Sequence, residues 1–240
     1  MNTEYSSFKK FRERQKRQLA SWLDRLYINE FSLLEKHRLF VEENFFSDMA
    51  QLKSDLDEDL SGMDPADAES YSEFLGEKRH MLTEVFPSLQ WQAQFLVVYA
   101  TFEANLNALC NVVRRRLNSR ILLKDLSGST FEKAQKYLEK VGELNIDSLK
   151  GEEFLRAKQL GDVRNFLAHS QGLVDKEKDK KFFNIFSNIP GLKLVPIFEN
   201  EEVTEHNLQL SSEFVRYAID NLRILLHKIS ILEREWPKIC

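Results

Sequence analysis

Apolar residues recur every three or four positions along most of the chain, the spacing that gathers them on one face of an α-helix. The strongest stripe follows Pro87: Phe95, Tyr99, Phe102, Leu106, Leu109 and Val113 step by 4, 3, 4, 3 and 4. It runs into Arg114, Arg115 and Arg116, which suit the negative end of a helix. Phe214, Tyr217, Ala218, Leu222, Leu225 and Ile229 predict a final helix, capped by Ser211 or Ser212 and stopped before Pro237. From Tyr5 to Leu60 the pattern is again helical, and no Gly or Pro precedes Gly62, which predicts one or two long helices. Ser61 to Pro65 is the first break. A second helix is expected over Ser70 to Val85, stopped near Phe86 by Pro87. Thr130 caps a short helix, Phe131 to Val141, and another runs from about Gly151 to Ser170. Lys176 to Lys181 reads as a solvated charged loop. Leu192 to Phe198 and Val203 to Leu210, separated by Glu199-Asn200-Glu201-Glu202, predict a small β-hairpin.

The fold expected is therefore all-α: a helical extension over residues 1–62, then a helical domain over 66–240 carrying one small hairpin near 192–210. Composition agrees. Gly and Pro number 8 and 5 among 240 residues, which disfavours turn-rich β folds and flexible linkers. The formal charge of −4 supplies no global basic field, so any nucleic-acid binding must use a local patch. Cys110 and Cys240 are too few for a disulfide scaffold or a zinc site, and Cys110 falls in an apolar helical pattern as a buried thiol. Met1 to Lys10 is polar, without the apolar core of a secretory signal, and no run of 18 apolar residues is present. The expectation is a cytoplasmic chain without a membrane span.

Phosphate-binding glycine motifs and zinc-binding H-E-x-x-H are absent, and His37, His80, His169, His206 and His227 lack ligand spacing. No cofactor and no metal is expected. One string stands out, Asp162-Val163-Arg164-Asn165-Phe166-Leu167-Ala168-His169-Ser170, at the end of an amphipathic helix. Nowhere else in the chain does an Arg precede a His by five. Arg164, Asn165 and His169 resemble the R-x-x-x-x-H motif of the HEPN superfamily, in which Asn often follows the Arg. The resemblance extends to Tyr99-Ala100-Thr101-Phe102-Glu103, similar to an early core helix with an acidic residue, and to the connector through Lys124-Asp125-Leu126-Ser127-Gly128 and Lys133 to Leu138. It covers about residues 70 to 235 and leaves the first 60 outside.

The resemblance implies a HEPN-like bundle and a metal-independent endoribonuclease, a toxin or anti-phage effector, whose homodimer places two motifs face to face. RNA carries its own nucleophile, the 2′-OH. His169 suits proton transfer near neutral pH, and the Arg164 fork matches the charge that accumulates on phosphorus. Asn165 would orient His169 or bind phosphate, and Glu103 would hold Arg164. Arg114, Arg115, Arg116, Arg120 and Lys124 give residues 111 to 124 five positive charges and no acid, a track that could follow RNA phosphates. An antitoxin or sensor protein would keep such an enzyme silent. Gln171 stands where some family toxins carry a modifiable Tyr, so that mode of control finds no support.

Plainer readings stand beside these. Arg164 could form a structural ion pair with Asp162 or Glu103, and His169 could serve the helix dipole. The Arg114 to Lys124 run could be a solvated helix end, and Lys9 to Arg17 a solvated face. The alternative function is a non-catalytic HEPN-like module that binds a partner or a nucleotide; a purely structural helical protein is the third.

Overall fold

The computed structural model describes residues 28–52, 54, 64–197 and 204–235, and helices dominate them. In chain order these are α1 (28–52), α2 (Pro65–His80), α3 (Phe86–Leu117), α4 (Thr130–Lys140) and α5 (Glu152–Ser170), then β1 (Leu173–Asp175), α6 (Lys180–Phe186), β2 (Leu192–Pro196), β3 (Glu205–Leu210) and α7 (Ser212–Glu235). Much of the expected N-terminal extension over 1–62, namely 1–27, 53 and 55–62, lies outside the described residues.

Pro87 does not stop a helix. One turn of π-helix, Met81–Val85, joins α2 to α3, and the Phe86 N–H donates to the Met81 carbonyl five residues back. Proline has no N–H and its ring crowds the carbonyl four residues earlier; a wider turn just before it accommodates both demands without ending the helix. Among the described residues one helix, Gly76–Leu117, is long and apolar enough to cross a membrane, and half of its most apolar window is buried within the protein.

The described residues divide into two compact units. The first takes 28–33, Tyr99–Gly161 and 219–235. Its core is the stripe read from sequence: Tyr99, Phe102, Leu106, Leu109 and Val113 of α3 are all buried. Tyr99, Phe102, Phe131 and Phe154 form a chain of rings with centroids 5.7, 5.7 and 4.9 Å apart. Ser129, not Thr130, caps α4, its hydroxyl accepting from the Glu132 N–H while the Glu132 carboxylate accepts from the Ser129 N–H. Burial pushes the Cys110 thiol up to about 12, as befits a core residue.

The second unit takes 34–52, 64–98 and Asp162–Ala218. Phe95 and Phe214 pack edge to face at 4.8 Å in its core. Buried Arg38 pairs with Glu35 and Glu42 and donates to the Ser212 hydroxyl, so Ser212 is engaged elsewhere and the Ser211 hydroxyl meets the Phe214 N–H at 3.4 Å instead. A three-stranded sheet in the order β1-β3-β2, antiparallel throughout, completes the unit. β2 pairs with β3 from Leu192↔Leu210 to Pro196↔His206, and the expected turn between them, 199–202, lies outside the described residues, as do the expected strand ends at 198 and 203. β1 has no counterpart in the sequence reading. At three residues it is too short to show alternation, and the long-range pairing Leu173↔Asn207 creates it.

On the solvent side of α3, Phe86, Leu89, Leu96 and Val97 are exposed although their neighbours Trp91, Phe95 and Val98 are buried. With exposed Ala93 between them they step by 3, 4, 3 and 1, so α3 is apolar on both faces over this stretch.

Candidate functional site

Arg164, Asn165 and His169 all lie on the last two turns of α5, in the second unit. Arg164 is half-buried, while Asn165 and His169 are exposed. The Arg164 Nη1 donates to the Asn165 Oδ1 at 3.1 Å, so Asn165 steers the guanidinium and does not reach His169 by this contact. The helix keeps its form through Ser170, and five residues of α-helix place Arg164 and His169 about 140° apart around the axis. It closes where Gln171 and Gly172 take positive φ of 52° and 80°, with the Gly172 N–H donating to the Phe166 carbonyl at 3.0 Å. Left-handed backbone favours glycine, and this bend sends the chain straight into β1.

Phe166 anchors the motif. Its ring meets Phe182 at 5.1 Å and Phe186 at 5.4 Å, both edge on, so α6 packs against the motif turn. The charged loop expected over Lys176 to Lys181 is a turn as far as Asp179, and α6 begins at Lys180; the signal for the helix is Phe182-Phe183 directly after Lys180-Lys181, followed by Phe186 three residues on. Lys176 Nζ stands 5.8 Å from the Phe183 ring and Lys181 Nζ 5.9 Å from the Phe182 ring. Asp175 accepts from the N–H groups of Glu177 and Lys178 at 2.9 and 3.0 Å and pairs with the Lys178 ammonium at 3.0 Å. The Lys178 N–H and ammonium foremost hold its carboxyl below the ordinary aspartate range.

The other expected residues belong to the first unit. Glu103 is half-buried on α3. Arg115, Arg120 and Lys124 are exposed and Arg114 is half-buried. Arg116 stands apart from that run, in an ion pair with buried Glu233. Also in the first unit, an open depression of about 320 Å³ is lined by Leu149, Ile231 and Leu232 and by the ion pair of Glu153 with Lys228 at 2.8 Å; no Arg or His lines it. Among the described residues no group of three or more His, Cys, Asp or Glu side chains is placed to hold a metal ion.

Compared with protein-family models, with curated proteins and with solved structures, the chain matches none of them.

Proposed function

We propose that the protein is a metal-independent endoribonuclease whose site is built from Arg164 and His169, with Asn165 positioning Arg164. The observation that carries this reading is the exposed His169 one turn and a half beyond an arginine whose guanidinium is held by its own neighbour, at 3.1 Å. An imidazole open to solvent can exchange protons with substrate, and a guanidinium held by Asn165 presents its remaining N–H groups in a fixed direction.

The chemistry closes without an external nucleophile. One imidazole takes the proton of the ribose 2′-OH as that oxygen attacks phosphorus. The bond from phosphorus to the 5′-oxygen breaks, and a second imidazole, protonated, gives its proton to the departing oxygen. Arg164 stabilises the charge that gathers on the phosphoryl oxygens in between. The products are a 2′,3′-cyclic phosphate and a 5′-hydroxyl. Because one chain offers one imidazole at the motif, a two-fold pair of chains would supply both the acid and the base. The exposed apolar stripe of α3 offers such a pair a surface to bury. Its expected role is that of a toxin or anti-phage effector, restrained by an antitoxin or sensing protein.

Incubation of the purified protein with total RNA tests the reading, with Ala at position 169 as the control. Fragments ending in 2′,3′-cyclic phosphate support it. No cleavage by the dimer, or cleavage that the control retains, ends it and favours a partner-binding helical module.

A further inference from the structure

We propose that the β1–α6 turn and α6 form the platform on which single-stranded RNA lies beside the motif, an inference that rests on RNA being the substrate. Lys176 and Lys181 stand over the rings of Phe183 and Phe182. Each ammonium lies about 6 Å from its ring centroid and both lysines are exposed, so what stands over each ring is a side chain that solvent reaches and that can move aside. Both phenylalanines are half-buried, held from below, Phe182 by Phe166 and Phe186 and Phe183 by His206 at 4.9 Å. A fixed aromatic ring with an open face is what a nucleobase stacks on, and every base has such a face, so the platform is tolerant of sequence.

Charge points to the same ligand. Lys176, Lys178, Lys180 and Lys181 are exposed; Lys178 is paired with Asp175 at 3.0 Å, and the half-buried Asp175 and Asp179 accept from backbone N–H groups that shape the turn. Asp175 accepts from the Glu177 and Lys178 N–H groups, and Asp179 accepts from the Asp175 N–H at 3.1 Å. Glu177 is the exposed carboxylate left among the four lysines, and Glu205 lies on β3 beside β1. When a base displaces a lysine from a ring, the ammonium moves to the adjacent phosphate, so the stacking and ionic contacts form together. A single strand satisfies both; a duplex hides its base faces, and a membrane offers no planar group. Phe166 ties the platform to the motif, one residue from Asn165 and in ring contact with α6.

The test uses the full chain carrying His169→Ala, so that RNA is bound but not cut, and fluorescence anisotropy with a labelled uridine dodecamer over a range of salt. Adding Lys176→Ala and Lys181→Ala together should weaken binding on the order of tenfold and lower the logarithmic salt slope by about 1.4, at about 0.7 per phosphate contact in a single strand. Phe183→Leu should weaken the dodecamer on the order of tenfold and leave duplex RNA unchanged. Unaltered dodecamer binding in both variants, with melting temperatures preserved, overturns the platform. So does loss of binding to phosphatidylserine vesicles with RNA binding intact. Cleavage by the unsubstituted protein alongside unaltered variant binding would leave the nuclease reading standing without the platform. Platform-dependent binding with no cleavage would remove the nuclease reading alone.

Discussion

Arg116 and Glu233 form an ion pair in which the Glu233 side chain is only 2% exposed and Arg116 19%. This pair links the end of α3 to the end of α7 within one unit, and it separates Arg116 from the exposed Arg115, Arg120 and Lys124 near it. Removing one partner of a buried pair leaves the other charge without compensation. Glu233→Ala should therefore cost about 3 kcal/mol, read from urea unfolding, whereas Arg115→Ala should change stability by less than about 0.5 kcal/mol.

Burial pushes the Glu233 carboxyl above its ordinary value of 4.5, against the pull of Arg116. A raised folded-state pKa means that the native protein binds this proton more tightly than the unfolded chain. The resulting stability is fully present below about pH 4.5 and is lost as pH rises through the raised value. Glu233→Gln should flatten this part of the stability profile on the alkaline side of pH 4.5. A profile with unchanged slope in that variant would show that another group titrates there.

At the proposed site, His169→Ala should slow RNA cleavage roughly 10²- to 10⁴-fold, the range for losing a general acid or base. Arg164→Ala should cost on the order of 10²- to 10³-fold, by analogy with removal of an oxyanion donor. Since His169 is exposed and Arg164 half-buried, each should shift stability by only about 1 kcal/mol. EDTA should leave the activity intact. Cleavage rates, melting temperatures and 3′-end analysis measured together decide the matter, and wild-type rates in either variant would return both residues to a structural role.

A dimer formed through α3 should be sensitive at Leu89 and Val97, which are 59% and 54% exposed. Leu89→Arg with Val97→Arg should give monomers in light scattering and, if the acid and base come from two chains, should abolish cleavage while the circular dichroism spectrum stays helical. A strict monomer that cleaves RNA as well as the parent would refute the shared site.

Gly161 illustrates a constraint of contact, since a Cβ there would lie 2.6 Å from the Tyr99 hydroxyl. Alanine ordinarily gains about 1 kcal/mol over glycine inside a helix. Here Gly161→Ala should instead destabilise by about 1–3 kcal/mol, and adding Tyr99→Phe should recover part of the loss. Denaturation midpoints of the two variants check both signs.

Helix positions were legible because period and caps are local properties. The stripe from Phe95 to Val113 is buried as its spacing requires, and α5 ends at Ser170 just before the glycine that closes it. Three features escaped that reading for physical reasons. Pro87 punctuates a helix in isolation, but the π-turn before it is selected only when the flanking helices are worth keeping continuous. β1 exists through its partner β3, thirty or more residues away along the chain. α6 is too short to hold as an isolated helix and is stabilised by Phe182 and Phe186 against Phe166.

By itself, the sequence determined that the chain is predominantly helical, which face of α3 and of α7 is buried, and that Arg164, Asn165 and His169 share the end of one helix. Those conclusions depend on spacings of a few residues, which backbone geometry converts directly into direction. Tertiary structure alone decided that Arg116 is committed to Glu233, that Asn165 holds Arg164, and that two lysines and two phenylalanines are gathered beside the motif. Each of these depends on which side chains meet in space and on how much water remains around them, and side-chain contact and solvation are fixed by packing rather than by the order of residues along a helix.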